Sequence, residues 1–458
     1  MQSGNQHDAR PGTQSGAPTP TMAPGAHCYP ARVKSAAAPA PDTEPARPGV
    51  VLATLAIALL MGLQALTTDL YLPALPLLTH ELRASVGAAQ LTMSGLLLAF
   101  GLGQLVWGPM SDRLGRRPVL LAGLAGYVLA SLLAALASSI EQLVALRMLQ
   151  GLGVAAAVVV ARAMVRDLYE PEQGAQVMAR ALSGLGLIAI ISPVVGGLVT
   201  ALAGWRWAFV CVAAGGAAAL ALVAWRLPET LGASRRVRSQ GHVVAGLVHG
   251  WGEVLASPGF RAWALFTCCT YGGLFVFLAG SSFVYIGVLG LGPLAYGALA
   301  ATCSSSYLLG TLYCRRRLPA LGVRRSVQHA AVLTGLAALG FALPALLGIH
   351  DSLAALWLPQ LLYQFGHGTH MPCSQVGAVA GFPHRAGVAS ALSGCATALV
   401  ACLIGLGLGR LLGPMGSAAL AWGGAGFATL TCLCAWTLVR RHGDPVQPAV
   451  RPGGAVTA

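Results

Sequence analysis

Residues 118–138 read PVLLAGLAGYVLASLLAALAS, a run of 21 residues without one charged side chain. A helix rises about 1.5 Å per residue, so the run reaches about 30 Å, the thickness of a bilayer's hydrocarbon core. Apolar and polar positions do not alternate along it, which excludes the strand of an outer-membrane barrel. Outward from this run the pattern repeats. Apolar segments lie near 50–76, 88–109, 142–165, 178–202 and 206–226, then near 260–287, 294–314, 327–348, 353–380, 387–412 and 417–439. The 458-residue chain is 56% hydrophobic and 9% charged, whereas a soluble domain carries about 25% charged residues. The reading is an all-α polytopic membrane protein with 12 transmembrane helices in two six-helix bundles.

The segments divide the chain into five parts. Residues 1–48 are rich in Pro, Ala, Gly, Ser and Thr, too polar to offset the entropy of ordering, and are expected to form a disordered cytoplasmic tail. The bundles are expected at 49–226 and 260–441, with a cytoplasmic linker at 227–259 and a cytoplasmic tail at 442–458. No signal peptide is expected, since nothing before Val50 resembles its apolar core. With the N-terminus inside, 24 of the 28 Lys and Arg fall on the inner side, leaving Arg83, Arg147, Arg206 and Arg410 for the outer half. The positive-inside rule therefore puts both termini in the cytoplasm. The net charge of +14 comes from short loops rather than a continuous basic stripe, so no nucleic-acid partner is expected. The 11 cysteines are odd in number and mostly apolar filler, with no CxxC pair; neither a disulfide framework nor a metal site is expected.

The halves look like repeats. The span at 88–109 runs into GPMSDRLGRRP (108–118), and that at 294–314 runs into GTLYCRRRLPALGVRR (310–325). Repeated halves with a site between them are the build of many secondary transporters. Gly108-Pro-Met-Ser-Asp112-Arg113-Leu-Gly115-Arg116-Arg117 resembles the loop signature of the major facilitator superfamily. Arg147-Met-Leu-Gln150-Gly151-Leu-Gly153 is similar to the RxxQGxG motif of its drug-exporting branches. Ser192-Pro193-Val-Val-Gly196-Gly197 resembles the antiporter motif GPxxGG, with Ser in place of the first Gly. Thr68-Asp69-Leu-Tyr71-Leu-Pro73-Ala-Leu-Pro76 is similar to a segment of the Bcr/CflA drug-resistance subfamily, and residues 166–169 (RDLY) and 227–230 (LPET) fit the same subfamily. The resemblance spans about 50–440 and is stronger in the first half.

The resemblance implies that Gly108, Asp112, Arg113, Gly115, Arg116 and Arg117 form a conformational latch at the inner ends of the bundle. The alternative is that the arginines only fix topology, which would not need Asp112 or the glycines. It also implies that Ser192, Pro193, Gly196 and Gly197 make a bend that favours exchange; Pro and small residues at that spacing also pack closely. Asp69 is the acid placed inside an apolar span, where an ionisable group by default marks a proton or substrate path. Its bland reading is a hydrogen-bonded packing acid. Arg147 lies at similar depth, and the pair Asp69 and Arg147 is the expected proton-coupling unit.

His367 and His370 sit three apart on one helix face near mid-membrane. Metal binding would need more ligands than the nearby Cys373; packing histidines or a cavity-lining pair remain. The expected substrate cavity comprises Gln64, Tyr71, Gln150, Ser281, Ser282, Tyr285, His367 and His370, mostly apolar with sparse polar handles. The function implied is proton-coupled efflux of small amphipathic drugs, chloramphenicol-, bicyclomycin- or sulfonamide-like, by alternating access from a bacterial inner membrane. Export or uptake of a metabolite on the same fold is the alternative. No nucleophile-and-base constellation appears, so an enzyme is not expected. No cofactor is expected; the partners are a small-molecule substrate, protons and membrane lipid, and the chain is expected to be a monomer.

Overall fold

The structure, a computed structural model, describes residues 50–231, 251–382 and 385–443. The expected tail at 1–48, residues 232–250 of the expected linker and residues 444–458 lie outside the described residues. Among the described residues every regular element is helical. That is how a chain crosses lipid, because each backbone N–H and C=O must find its partner within the segment.

The first half contains α1 (Val50–Asp69), a short 3-10 turn (Leu72–Ala74), α2 (Leu75–Glu81) and α3 (Val86–Leu114). It continues through α4 (Arg116–Ala135), α5 (Ile140–Leu168), α6 (Pro171–Ala203) and α7 (Trp205–Arg226). The second half contains α8 (Pro258–Ser282), a wide π-helical turn (Phe283–Val288) and α9 (Pro293–Leu346). It ends with α10 (Leu353–Ala380), α11 (Ala386–Met415), α12 (Ser417–Trp436) and α13 (Leu438–His442). Ten helical segments among the described residues are long and apolar enough to cross a membrane. The 54-residue α9 is two helices joined at Gly322. Helix α10, diluted by Gln360, Gln364, His367, His370 and Gln375, is not among the ten. Dividing α9 and adding α10 is consistent with the twelve crossings expected.

The repeat is written into the turns. Gly115 between α3 and α4 has φ 104°, and Gly322 at the corresponding place in the second half has φ 70°. Only a residue without Cβ adopts such angles cheaply. The turns at Gly204 and Gly416 match one another in the same way, both at positive φ. Serine side chains start other helices: Ser85 Oγ accepts from the Ala88 amide at 3.1 Å, and Ser139 Oγ from Gln142 at 3.3 Å. Each satisfies an amide that the first helical turn leaves unpaired.

Polarity is inverted relative to a water-soluble protein. Leu136, Leu202 and Trp225 are 77%, 79% and 84% exposed, while Arg147, Gln90 and Gln150 are fully buried. Within the first half α5 packs on α3 and α4, and α1 packs on α6; within the second, α8 packs on α10, α11 and α12. Close approach rests on small residues: a Cβ on Gly151 would meet the Leu96 carbonyl, and one on Gly153 the Gly123 carbonyl. The halves meet along two seams, α3 on α11 and α6 on α9.

Candidate functional site

Arg147 is the hub of the first half. Its guanidinium donates to the Thr67 carbonyl at 3.1 Å and to Gln150 Oε1 at 3.0 Å, and lies 4.4 Å over the Tyr71 ring. Gln150 Nε2 donates to Ser131 Oγ at 2.7 Å, and the Thr67 and Tyr127 hydroxyls are 2.6 Å apart. Tyr71 is tied by its hydroxyl to Thr92 at 2.7 Å. The network joins α1, α3, α4 and α5 in one buried polar knot. Cation–π contact and charge-assisted bonds offset the desolvation of the guanidinium.

The expected pairing of Asp69 with Arg147 does not occur. Thr67 and Tyr71, four apart, share the face that Arg147 occupies, whereas Asp69 lies about 200° around the helix from Thr67 at about 100° per residue. Asp69 instead closes α1 at the break before the 3-10 turn and accepts from Thr68 Oγ1 at 2.8 Å. Its carboxylate is within electrostatic reach of Tyr271 and Tyr296, in the second half. It is therefore a half-buried acid at a helix break, close to tyrosines of the second half.

The loop-signature residues converge on the α3–α4 turn. Arg116 pairs with Asp112 at 2.5 Å and with Asp167 at 2.8 Å, and donates to Ser111 Oγ at 2.7 Å. The Glu229 carboxylate accepts from the Arg116 and Arg117 amides at 2.9 and 3.2 Å, capping the positive end of α4. Arg117 donates to the Ala224 carbonyl at 2.6 Å. A Cβ on Gly115 would run into Glu229. Gly108 takes part through its carbonyl, which accepts from Ser111 Oγ at 2.9 Å. Asp167 and Glu229 belong to the RDLY and LPET segments. Sequence reading noted those segments without giving either acid a role; the signal was their position just beyond apolar spans, where an acid can meet the arginines of the turn.

Helix α6 carries the antiporter segment at a seam. Ser192 Oγ donates to the Ile188 carbonyl at 2.6 Å, the back-bond expected one turn before Pro193. Gly196 lies against the Leu70 carbonyl and Gly197 against that of Pro293, while Gly297 lies against that of Pro193. Gly87 and Gly409 face one another where α3 meets α11, and Gln90 Nε2 donates to the Ala279 carbonyl of α8. The Gly196 contact lies within the first half; the others close the two halves at the end away from the α3–α4 turn.

Toward the other end a cavity separates the halves. The first half contributes Gln64, Leu97, Phe100, Gln104 and Arg162; the second contributes Tyr271, Met371, Gln375, Ser390 and Thr397, among others. Of the residues expected to line it, only Gln64 does. Tyr71 and Gln150 are consumed by the Arg147 knot. Ser281 bonds the Tyr296 hydroxyl at 2.7 Å, and Ser282 and Tyr285 are buried on the closed side, their hydroxyls without partners. His367 and His370 are buried within the second half, both ring Nδ1 atoms meeting Thr270 Oγ1, at 3.0 and 3.3 Å. His367 stacks on Tyr363, and His370 meets Phe266 edge-on. One helix face does hold both histidines, but that face points into the α8–α10 interface. Among the described residues no group of three His, Cys, Asp or Glu could hold a metal ion.

Comparison with known proteins agrees with this architecture. The chain is 31% identical to the "Uncharacterized MFS-type transporter YdgK" of Bacillus subtilis, over 79% of this chain and 88% of that one. It is 34% identical to the "Chloramphenicol resistance protein" of Pseudomonas aeruginosa, over 73% and 78%. It is 30% identical to "Multidrug resistance protein D" of Escherichia coli, over 74% and 84%. Among solved structures, a D-xylose-proton symporter superposes with a TM-score of 0.68 at 16% identity, covering 87% of this chain and 99% of that one, which speaks for the fold. The family model of the Major Facilitator Superfamily matches residues 57–406. With two halves, matched glycine turns and a cavity between them, this multi-pass membrane chain belongs to the Major Facilitator Superfamily.

Proposed function

We propose that this chain exports small amphipathic drugs in exchange for protons, by alternating access, across a bacterial inner membrane with both termini in the cytoplasm. The observation that carries the reading is the cavity shared by the two halves, shut at one end by the glycine seams and reaching the α3–α4 side at the other. Its lining interleaves apolar side chains such as Leu97, Phe100 and Met371 with amides, hydroxyls and the Arg162 guanidinium, a mostly apolar surface with sparse polar handles that accommodates varied ligands. The relatives named for chloramphenicol and multidrug resistance support the same cargo class. On the proposed orientation the cavity faces the cytoplasm, where an exporter loads.

Asp69 is proposed as the proton carrier. Its carboxylate is held by the neighbouring Thr68 hydroxyl rather than by a cation, so a proton can bind and leave without rupture of an ion pair. Arg147 is proposed to fix the α1 backbone against which Asp69 is presented. Asp112, Arg116 and the glycines of the turn are proposed as the latch, and Ser192 to Gly197 as the seam that opens when the cavity changes side. The test is uptake in everted vesicles from an efflux-deficient host. Chloramphenicol accumulation should depend on the pH gradient and collapse with a protonophore; accumulation indifferent to the protonophore rejects the reading.

A further inference from the structure

Arg162 takes no part in the Arg147 network, the α3–α4 turn or the glycine seams. It lies on α5 six residues before the helix end and lines the cavity, half-buried. No acidic side chain lines that cavity, and among the described residues none pairs with Arg162. The buried acids of the α3–α4 turn are engaged there: Asp167 bonds Arg116, and Glu229 caps α4. Asp167 is five positions further along α5, about 140° around the helix, and so faces α4 rather than the cavity. Arg166, one turn away, adds charge of the same sign. An unpaired guanidinium in a membrane span is costly and by default functional, and one that served only as a topology anchor would have no reason to face the space between the halves.

We propose that Arg162 makes this cavity select for anionic amphiphiles, compounds with an apolar ring system and a carboxylate or comparable acid. A guanidinium matches a carboxylate in two parallel bonds. Gln104, Gln375 and Ser390 supply further donors, while Leu97 and Phe100 of the first half and Met371 of the second offer apolar surface for the ring system. A cationic ligand would meet the Arg162 charge with no acid in the lining to offset it. The inference deepens the efflux reading and rests on it for transport, whereas the selectivity belongs to the cavity itself.

The test uses the full chain in nanodiscs and three probes of one shape: 4-phenylbenzoate, 4-phenylbenzamide and 4-phenylbenzamidine. Wild type should bind the anion about tenfold or more tighter than the cation, with the amide between. Arg162→Gln should bring the three within about twofold of one another while keeping the affinity for the amide, and Arg162→Lys should keep the order of preference. A wild type that prefers the cation or amide, or binds none of the three, overturns the proposal, as does an unchanged order in Arg162→Gln. Transport in proteoliposomes separates the two readings: the expected order of binding without any pH-driven movement would sink proton-coupled efflux and leave the selectivity of the cavity standing.

Discussion

Asp69 and the two histidines are both polar insertions in apolar helices, yet their surroundings give them different expected roles. Asp69 bonds a single hydroxyl, ends a helix and lies close to tyrosines of the other half. Asp69→Asn fixes the neutral form with nearly the same shape. In proteoliposomes it should retain chloramphenicol binding and lose accumulation driven by a pH gradient; wild-type proton dependence in this variant would remove Asp69 from the coupling step. His370 is enclosed by Phe266, His367 and the Thr270 hydroxyl. His370→Ala leaves a cavity and an altered bond at Thr270, so it should cost about 2 kcal/mol or more of stability. Loss of activity should then be equal for every drug and track a lower melting temperature in detergent. A changed substrate profile at unchanged melting temperature would place the histidine in the transport path instead.

The α3–α4 turn shows what a sequence motif does when it becomes an element. Glu229, from outside the motif, caps α4 with two amide bonds, so Glu229→Gln should lower stability by about 1 kcal/mol through a weaker cap. Asp112 is the exposed member of its pair, at 52%, and the buried Arg116 keeps Asp167 as a second partner, so solvent screens the Asp112 charge and its loss costs at most about 1 kcal/mol. Asp112→Asn should therefore leave the melting temperature nearly unchanged and lower the transport rate; a wild-type rate from correctly inserted protein would defeat the latch. The elements themselves are legible from the sequence, because uncharged runs such as 118–138 can be little else, and the motif GPMSDRLGRRP marks the turn that Gly115 makes. The site is not. Depth along a helix can be counted in residues, but the direction a side chain faces depends on which neighbours it meets. Asp69 and Arg147 lie at one depth by residue count, yet their side chains meet different partners. Arg162 read as one of several topology charges, since nothing local distinguishes a cation facing water from one facing a cavity.

The whole molecule is built to have two arrangements, and the seam between α6 and α9 decides between them. Pro193, Gly197, Pro293 and Gly297 bring two backbones together with no side chain between, an approach that exists only while that end is closed. A side chain on Gly297 would meet the Pro193 carbonyl and the Val194 backbone, neither of which is the free end of a flexible group. Overpacking of this kind costs about 1–3 kcal/mol. Because the penalty falls on the closed seam alone, it tilts the equilibrium toward the arrangement in which the seam is parted, by about tenfold for each 1.4 kcal/mol. Gly297→Val should thus open the end of the molecule where Ser282 is now fully buried. On a background without native cysteines, Ser282→Cys should react slowly with a membrane-impermeant maleimide when Gly297 is present and much faster in Gly297→Val. Gly407→Val is the control, since a Cβ there meets no atom within 4 Å, and it should leave labelling unchanged. Equal labelling in the two variants would mean that the α6–α9 seam is ordinary close packing and that the molecule parts along some other line.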